Sequence, residues 1–186
     1  YDFYYLKGLI ESLLTSLHIA DWHVEAVKDD PTWHPGRTAA LYIGEKRCGI
    51  FGELHPLVVK NYDIKAPVYA AELAMDGLIG VGEVIPVYEP TPIYPAMPRD
   101  LAVVVDKSME VGRIEAAIRA AEPNYLKKID VFDVYEGLQV GLDKKSVAFS
   151  FIFQSDAQTL TDDLVQAEMD KIIAAIERDC QGQLRA

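Results

Sequence analysis

Hydrophobic positions in the first half of the chain recur at helical spacing and then at alternating spacing. Phe3, Leu6, Ile10, Leu13 and Leu17 form the stripe of an amphipathic helix, broadened by Leu9 and Leu14 and expected to end near His18. Residues 22–28 read as a strand, 38–43 and 46–54 as a hairpin turning at Gly44-Glu45, and 67–73 as a further strand. His55-Pro56 opens a short helix with proline at its first position. Antiparallel pairs with helices beside them make this half α+β.

The second half repeats that economy in a stricter order. In residues 100–106, Leu101, Val103 and Val105 share one face, and Ala102 and Val104 the other. Val111, Ile114, Ile118 and Ala121 form a helical stripe before the breaker Pro123-Asn124. In residues 129–135, simple alternation sends Phe132 and Val134 one way and Val131, Asp133 and Tyr135 the other, before Glu136-Gly137 ends the run. Val147, Phe149, Phe151 and Phe153 alternate without interruption. Thr161 caps a last helix, Asp162 and Asp163 complement its dipole, and Val165, Met169, Ile172 and Ile176 form its apolar stripe. Residues 182–185 suffice for a short final strand. The order β-α-β-β-α-β is that of a ferredoxin-like domain, an antiparallel sheet with two helices on one face. The helices are expected to cover Leu101, Val103, Phe132, Val134, Phe149 and Phe151. The open face then shows Ala102, Val104, Asp133, Tyr135, Ser146, Ala148, Ser150 and Ile152.

Between the halves, Pro86, Pro90, Pro92, Pro95 and Pro98 concentrate half of the ten prolines. Proline holds its neighbourhood extended, so a stiff connector and a domain boundary are expected here, with domains over 1–88 and 92–186. The 186 residues carry no apolar run long enough to span a membrane and no signal peptide. The chain opens at Tyr1 and reads as a piece of something longer. Cys48 and Cys180 have no metal or redox spacing and fit a reducing cytoplasm. The net charge is −11, with 7 basic against 13 acidic residues in the first 90 and 11 against 16 in the rest. Neither half is a general polyanion binder, because displacing phosphate counterions needs cations. A local basic edge remains compatible with that balance.

Asp133 and Tyr135 pair a carboxylate with an aromatic hydroxyl, groups that can accept from a base edge and stack on its ring. The same pair also fits a satisfied structural contact. His34, Cys48, Glu53 and His55 invite a metal-enzyme reading, but their spacing matches no ligand pattern and each His-Pro makes sense as a turn. No Gly-rich phosphate loop or nucleophile elbow is present. An RNA-recognition motif shares the topology, yet it needs aromatics on the open face, whereas these phenylalanines alternate with the core. A regulatory ligand-binding module would need a Gly-rich cleft, which the surroundings of Gly112 and Gly137 do not supply.

Several motifs in order carry a resemblance. Arg99-Asp100-Leu101-Ala102, Phe132-Asp133-Val134-Tyr135-Glu136-Gly137, Lys145-Ser146-Val147-Ala148, Thr159-Leu160-Thr161-Asp162 and Leu184-Arg185 resemble the ferredoxin-fold anticodon-binding domain that ends the β subunit of bacterial phenylalanyl-tRNA synthetases. Leu6-Lys7-Gly8, His34-Pro35-Gly36 and Gly52-Glu53-Leu54-His55-Pro56 resemble the preceding segment of that subunit, part of a class II synthetase-like module without catalysis. The resemblance implies an (αβ)2 enzyme that joins phenylalanine to its tRNA with ATP and magnesium. Its chemistry lies in the α subunit, and its editing lies upstream of Tyr1. It implies cytoplasmic work and an anticodon surface at Ala102, Asp133, Tyr135 and Ser146. It implies no catalytic residue, metal or cofactor held by this stretch. Arg99, Lys127, Lys128, Lys144, Lys145 and Arg185 are the cations near the sheet for phosphate. The chain departs from the family pattern at Pro92 and Ile93, where a Ser and a basic residue are usual, and at Ser150, Ile152 and Gln154, where relatives can be basic.

Overall fold

A computed structural model describes residues 1–79, 81, 88 and 90–185, so Pro86 lies outside the described residues. The chain divides into two compact units, Tyr1–Tyr88 and Glu89–Ala186.

In the first unit, α1 (Phe3–Ser16) starts where the Asp2 carboxylate accepts from the Tyr5 amide at 2.8 Å. β1 (Trp22–Ala26), β2 (Trp33–Ile43), β3 (Lys46–Leu54) and β4 (Tyr69–Leu73) form an antiparallel sheet in that order. The short helices α2 (Pro56–Asn61) and α3 (Met75–Leu78) follow β3 and β4. Ile10 and Leu14 pack with Leu41, Ile43, Cys48 and Phe51, and Phe3 and Leu6 lean on that core. The inward stripe follows the expected one at Phe3, Leu6 and Ile10 and then runs through Leu14 instead of Leu13 and Leu17. Leu14 is buried, while Leu13 and Leu17 remain 39% and 37% exposed, and Leu9 53%. The apolar arc of α1 is wider than the face the sheet covers, which leaves Tyr5, Leu9 and Leu13 outside. An open pocket of about 540 Å³ lies beside it, lined by residues including Tyr5, Leu9, Pro67 and Tyr69.

His34-Pro35-Gly36, expected as a turn, lies within β2 as an irregular stretch. The register jumps there from Trp33 opposite Leu54 to Thr38 opposite Gly52. Gly52 permits this close passage, since a Cβ at its φ of +154° would lie 2.2 Å from the Arg37 carbonyl oxygen.

The second unit comprises β5 (Met97–Asp106), α4 (Val111–Ala120), β6 (Leu126–Tyr135), β7 (Lys144–Phe153), α5 (Asp162–Cys180) and β8 (Gln183–Leu184). The sheet is antiparallel in the order β6-β7-β5-β8. β5 begins earlier than expected and takes in Pro98. That is tolerable because β8 pairs only with Val103 and Val104, which leaves one side of Pro98 without a strand partner. Val103, Val105, Val147, Phe149, Phe151 and Phe153 meet Ile114 and Ile118 of α4 and Val165, Met169, Ile172 and Ile176 of α5, all but fully buried. Thr161 caps α5 through the Leu164 amide. The Glu168 carboxylate, 7% exposed, accepts from the Asn124 amide at 2.9 Å, from Asn124 Nδ2 at 3.1 Å and from Lys171 Nζ. It ties the turn before β6, where Glu122 and Tyr125 have positive φ, onto α5.

Phe132 and Val134 correct the expected core face. Along β6, Val131 stands opposite Phe149 and Asp133 opposite Ala148, so β6 uses two steps where β7 uses one. This is a β-bulge, with Phe132 as the extra residue, 60% exposed. Val131, expected on the open face, packs against the core instead. Val134 pairs with Val147 but is 46% exposed, because β6 is a sheet edge.

Candidate nucleic-acid interface

The bulge decides which side chains share the open face. Strict alternation would keep Val131 with Asp133 and Tyr135. The bulge lets Val131 enter the core and still leaves the other two on the opposite side. The apolar residues Leu126, Ile129, Val131 and Val134 are spaced 3, 2 and 3 apart, and the two register shifts of β6 fall at the spacings of 3. That broken period was the available signal.

Two adjacent rungs then collect all four candidate reading residues. Asp133 stands opposite Ala148, which stands opposite Ala102. Tyr135 stands opposite Ser146, which stands opposite Val104 and then Gln183. The centre of this face is small, with Ala102, Ala148 and Ser150, so a flat ring can approach the backbone. Asp133 is exposed, Tyr135 and Ala102 are half-buried, and Ser146 is buried at 3% exposure. Gly137 makes room for the phenol end of Tyr135. A Cβ at residue 137 would lie 2.4 Å from Tyr135 Oη and 2.7 Å from Cζ. The Arg185 guanidinium lies 5.1 Å from the Tyr135 ring centroid, a cation–π contact that sequence spacing does not reveal.

The six candidate phosphate cations are not equivalent. Arg99 shares the parity of Leu101 and Val103, on the helix side, and pairs with Asp162. Lys127 pairs with Asp156 at 2.8 Å, Lys128 with Asp130 at 2.6 Å and Lys144 with Asp106 at 2.7 Å. Among the described residues, only Lys145 and Arg185 of the six stand outside an ion pair. The open-face positions of β5, β6 and β7 include Asp100, Asp106, Asp130 and Asp133 against Lys128 and Lys144. The face is not a basic patch.

The four residues of the metal reading are separately occupied. His34 Nδ1 accepts from the Gly36 amide, and His55 Nδ1 accepts from the Leu57 amide at the start of α2. Cys48 Sγ is buried against the Gly77 carbonyl. Glu53 accepts from Arg37 Nη1 at 2.7 Å and from the Tyr69 hydroxyl at 3.1 Å. Burial alone would raise its carboxyl pKa, but the bonds from Arg37 and Tyr69 outweigh that and hold it below the usual range. Burial and the Glu53 carboxylate push the Tyr69 phenol up. No three His, Cys, Asp or Glu side chains among the described residues group as metal ligands. No described helix is long and apolar enough to cross a membrane.

Known protein families match the chain in both of its units. Residues 92–185 match the model of the ferredoxin-fold anticodon binding domain, and residues 1–75 match the phenylalanyl tRNA synthetase beta chain CLM domain. The chain is similar to the phenylalanine–tRNA ligase beta subunit of Clostridium tetani, 39% identical over 99% of this chain and 23% of the relative. The Carboxydothermus hydrogenoformans subunit is 39% identical over 100% of this chain and 23% of the relative, and that of Bacillus subtilis 38% over 99% and 23%. The chain thus spans about a quarter of the length of these relatives. It belongs to the phenylalanine–tRNA ligase beta-subunit family, within which its second unit is a ferredoxin-fold anticodon-binding domain.

Proposed function

We propose that the open face of the second unit reads the anticodon of tRNA(Phe), and that the first unit is a class II synthetase-like module kept for contact with the α subunit. The assignment runs over 1–88 for that module and 92–186 for the anticodon-binding domain. Within an (αβ)2 assembly in the cytoplasm, phenylalanine activation with ATP and magnesium belongs to the α subunit. This stretch supplies positioning and no reacting group. Arg99, Lys127, Lys128, Lys144, Lys145 and Arg185 are the cations available to the RNA backbone, with Arg185 nearest to hand because no carboxylate must leave it first, while Lys145, also outside an ion pair, stands opposite Val105 on the helix side of the sheet.

The observation that carries the reading is the clustering of Ala102, Asp133, Tyr135 and Ser146 on two neighbouring rungs of one sheet face. An aromatic ring, an acceptor and small neighbours form a stacking platform with a base-edge reader beside it. Asp133→Ala and Tyr135→Ala in the whole enzyme are expected to raise the KM for tRNA. Losing a base stack on Tyr135 corresponds to about 1–3 kcal/mol. Loss of Asp133 should blunt discrimination more than affinity. Phenylalanine-dependent ATP–pyrophosphate exchange should be unchanged in both, and absent from the pure chain. An unchanged preference for wild-type over anticodon-mutant tRNA would overturn the reading, and exchange activity in the pure chain would overturn its non-catalytic part.

A further inference from the structure

The face is partly covered in the free protein. Ser146 is buried, and Tyr135 is half-buried beneath the Arg185 guanidinium. A base cannot stack where that cation sits, so one of the two partners must yield. Tyr135 is the held one, since its phenol end fills the space that Gly137 leaves. Arg185 is held only at its backbone, where its amide donates to the Ala102 carbonyl at 2.9 Å. Its side chain is exposed and engages no carboxylate among the described residues. It also lines an open cleft of about 430 Å³ with Val104, Gln139, Val140, Gln183 and Leu184. The cleft therefore offers the cation a nearby place beside two amide side chains.

We propose that Arg185 is a positioning residue of this face: its guanidinium holds the Tyr135 ring in the free protein, an RNA base displaces it from the ring, and the cation then takes the phosphate of the flanking nucleotide in the cleft beside Gln139 and Gln183. The inference rests on the anticodon reading of the same face. A cation–π contact at an exposed site is weaker than a base stack, so the exchange runs toward the base. The released guanidinium gains a phosphate that it can bind through two N–H groups.

The test uses the full chain and a stem-loop RNA bearing the phenylalanine anticodon. In the free chain, the Arg185 Cδ protons are expected to be shifted by the Tyr135 ring current, and Tyr135→Leu should abolish that shift. Adding RNA should abolish it as well, while the Asp133 and Ser146 amide signals move. Arg185→Ala should reduce the slope of log K against log salt by about 0.7–0.9, the share of one phosphate contact. Arg185→Lys should restore the slope, since charge alone carries it. If Asp133 and Ser146 respond to RNA but Arg185 keeps its ring shift, or if Arg185→Ala leaves the slope unchanged, the displacement is overturned and the anticodon reading stands. If the RNA moves none of these signals, the anticodon reading fails and takes this inference with it.

Discussion

Phe132 and Phe149 are both strand phenylalanines, and the fold uses them oppositely. Phe149 is fully buried between the sheet and the helices, while Phe132 is the extra residue of a bulge and largely exposed. Phe149→Ala is expected to cost about 3–5 kcal/mol through lost burial and a cavity. Phe132→Ala should stay within roughly 0.5 kcal/mol, as surface substitutions do. Urea unfolding midpoints at constant slope measure the difference. Equal losses would mean that the register of β6 is wrong. Asp133 and Tyr135 gain from the same comparison: their substitution opens no core cavity, so a loss of tRNA recognition there reports on the face rather than on folding.

At the level of elements, α5 does more than cover the sheet. Glu168 reaches from it to the turn ahead of β6 and thereby fixes how the strand bearing Asp133 and Tyr135 begins. Burial works against the charged carboxylate, but the bonds from Lys171 and Asn124 prevail and lower its pKa from the ordinary value of 4.5. A carboxyl depressed in the folded state contributes stability that is present above about pH 4.5 and lost as pH falls through the folded value. Glu168→Gln keeps an acceptor for Asn124 and removes the titration. Its stability should therefore fall less steeply with acid than that of the wild type, in unfolding midpoints followed from neutral to acid pH. Glu53 retains its own acid dependence in that variant, so the slope should shrink without vanishing. An unchanged slope would show that the link between α5 and the β6 turn contributes nothing through charge.

The whole molecule carries a net charge of −11, and most cations near its reading face already serve a carboxylate. Binding of tRNA by the isolated chain is accordingly expected to be weak. If three cations reach phosphate, log K should fall with log salt at a slope of about −2 to −3. Tight binding indifferent to salt, in titrations across ionic strength, would contradict the cation assignment. If the first unit contacts the α subunit as proposed, the uncovered apolar arc of α1 is the surface expected to take that contact. Leu9→Glu with Leu13→Glu should weaken αβ association in sedimentation while leaving unfolding midpoints nearly unchanged, because neither side chain is buried. Undiminished association would move the contact elsewhere.

Local patterning was sufficient for the order of elements in the second unit and, apart from the short α3, in the first, for the α5 cap at Thr161, the proline that begins α2 and the buried row Val147, Phe149, Phe151 and Phe153. These depend on neighbours three or four residues away, or on strict alternation, and the chain carries that information directly. It was also sufficient for Asp133, Tyr135, Ser146 and Ala102 sharing a face, although the alternation argument reached β6 with the wrong partners. Val131 and Phe132 changed roles because a bulge is a property of two strands, set when β6 must fit the phenylalanine row of β7. The choice of Leu14 over Leu13 in α1 likewise depended on how much of the helix the sheet could cover. Arg185 over Tyr135, Glu168 at Asn124 and the carboxylate partners of the cations join residues far apart in sequence. Only tertiary structure decided them, because a side chain's partner is fixed by closure of the fold and not by its own neighbourhood.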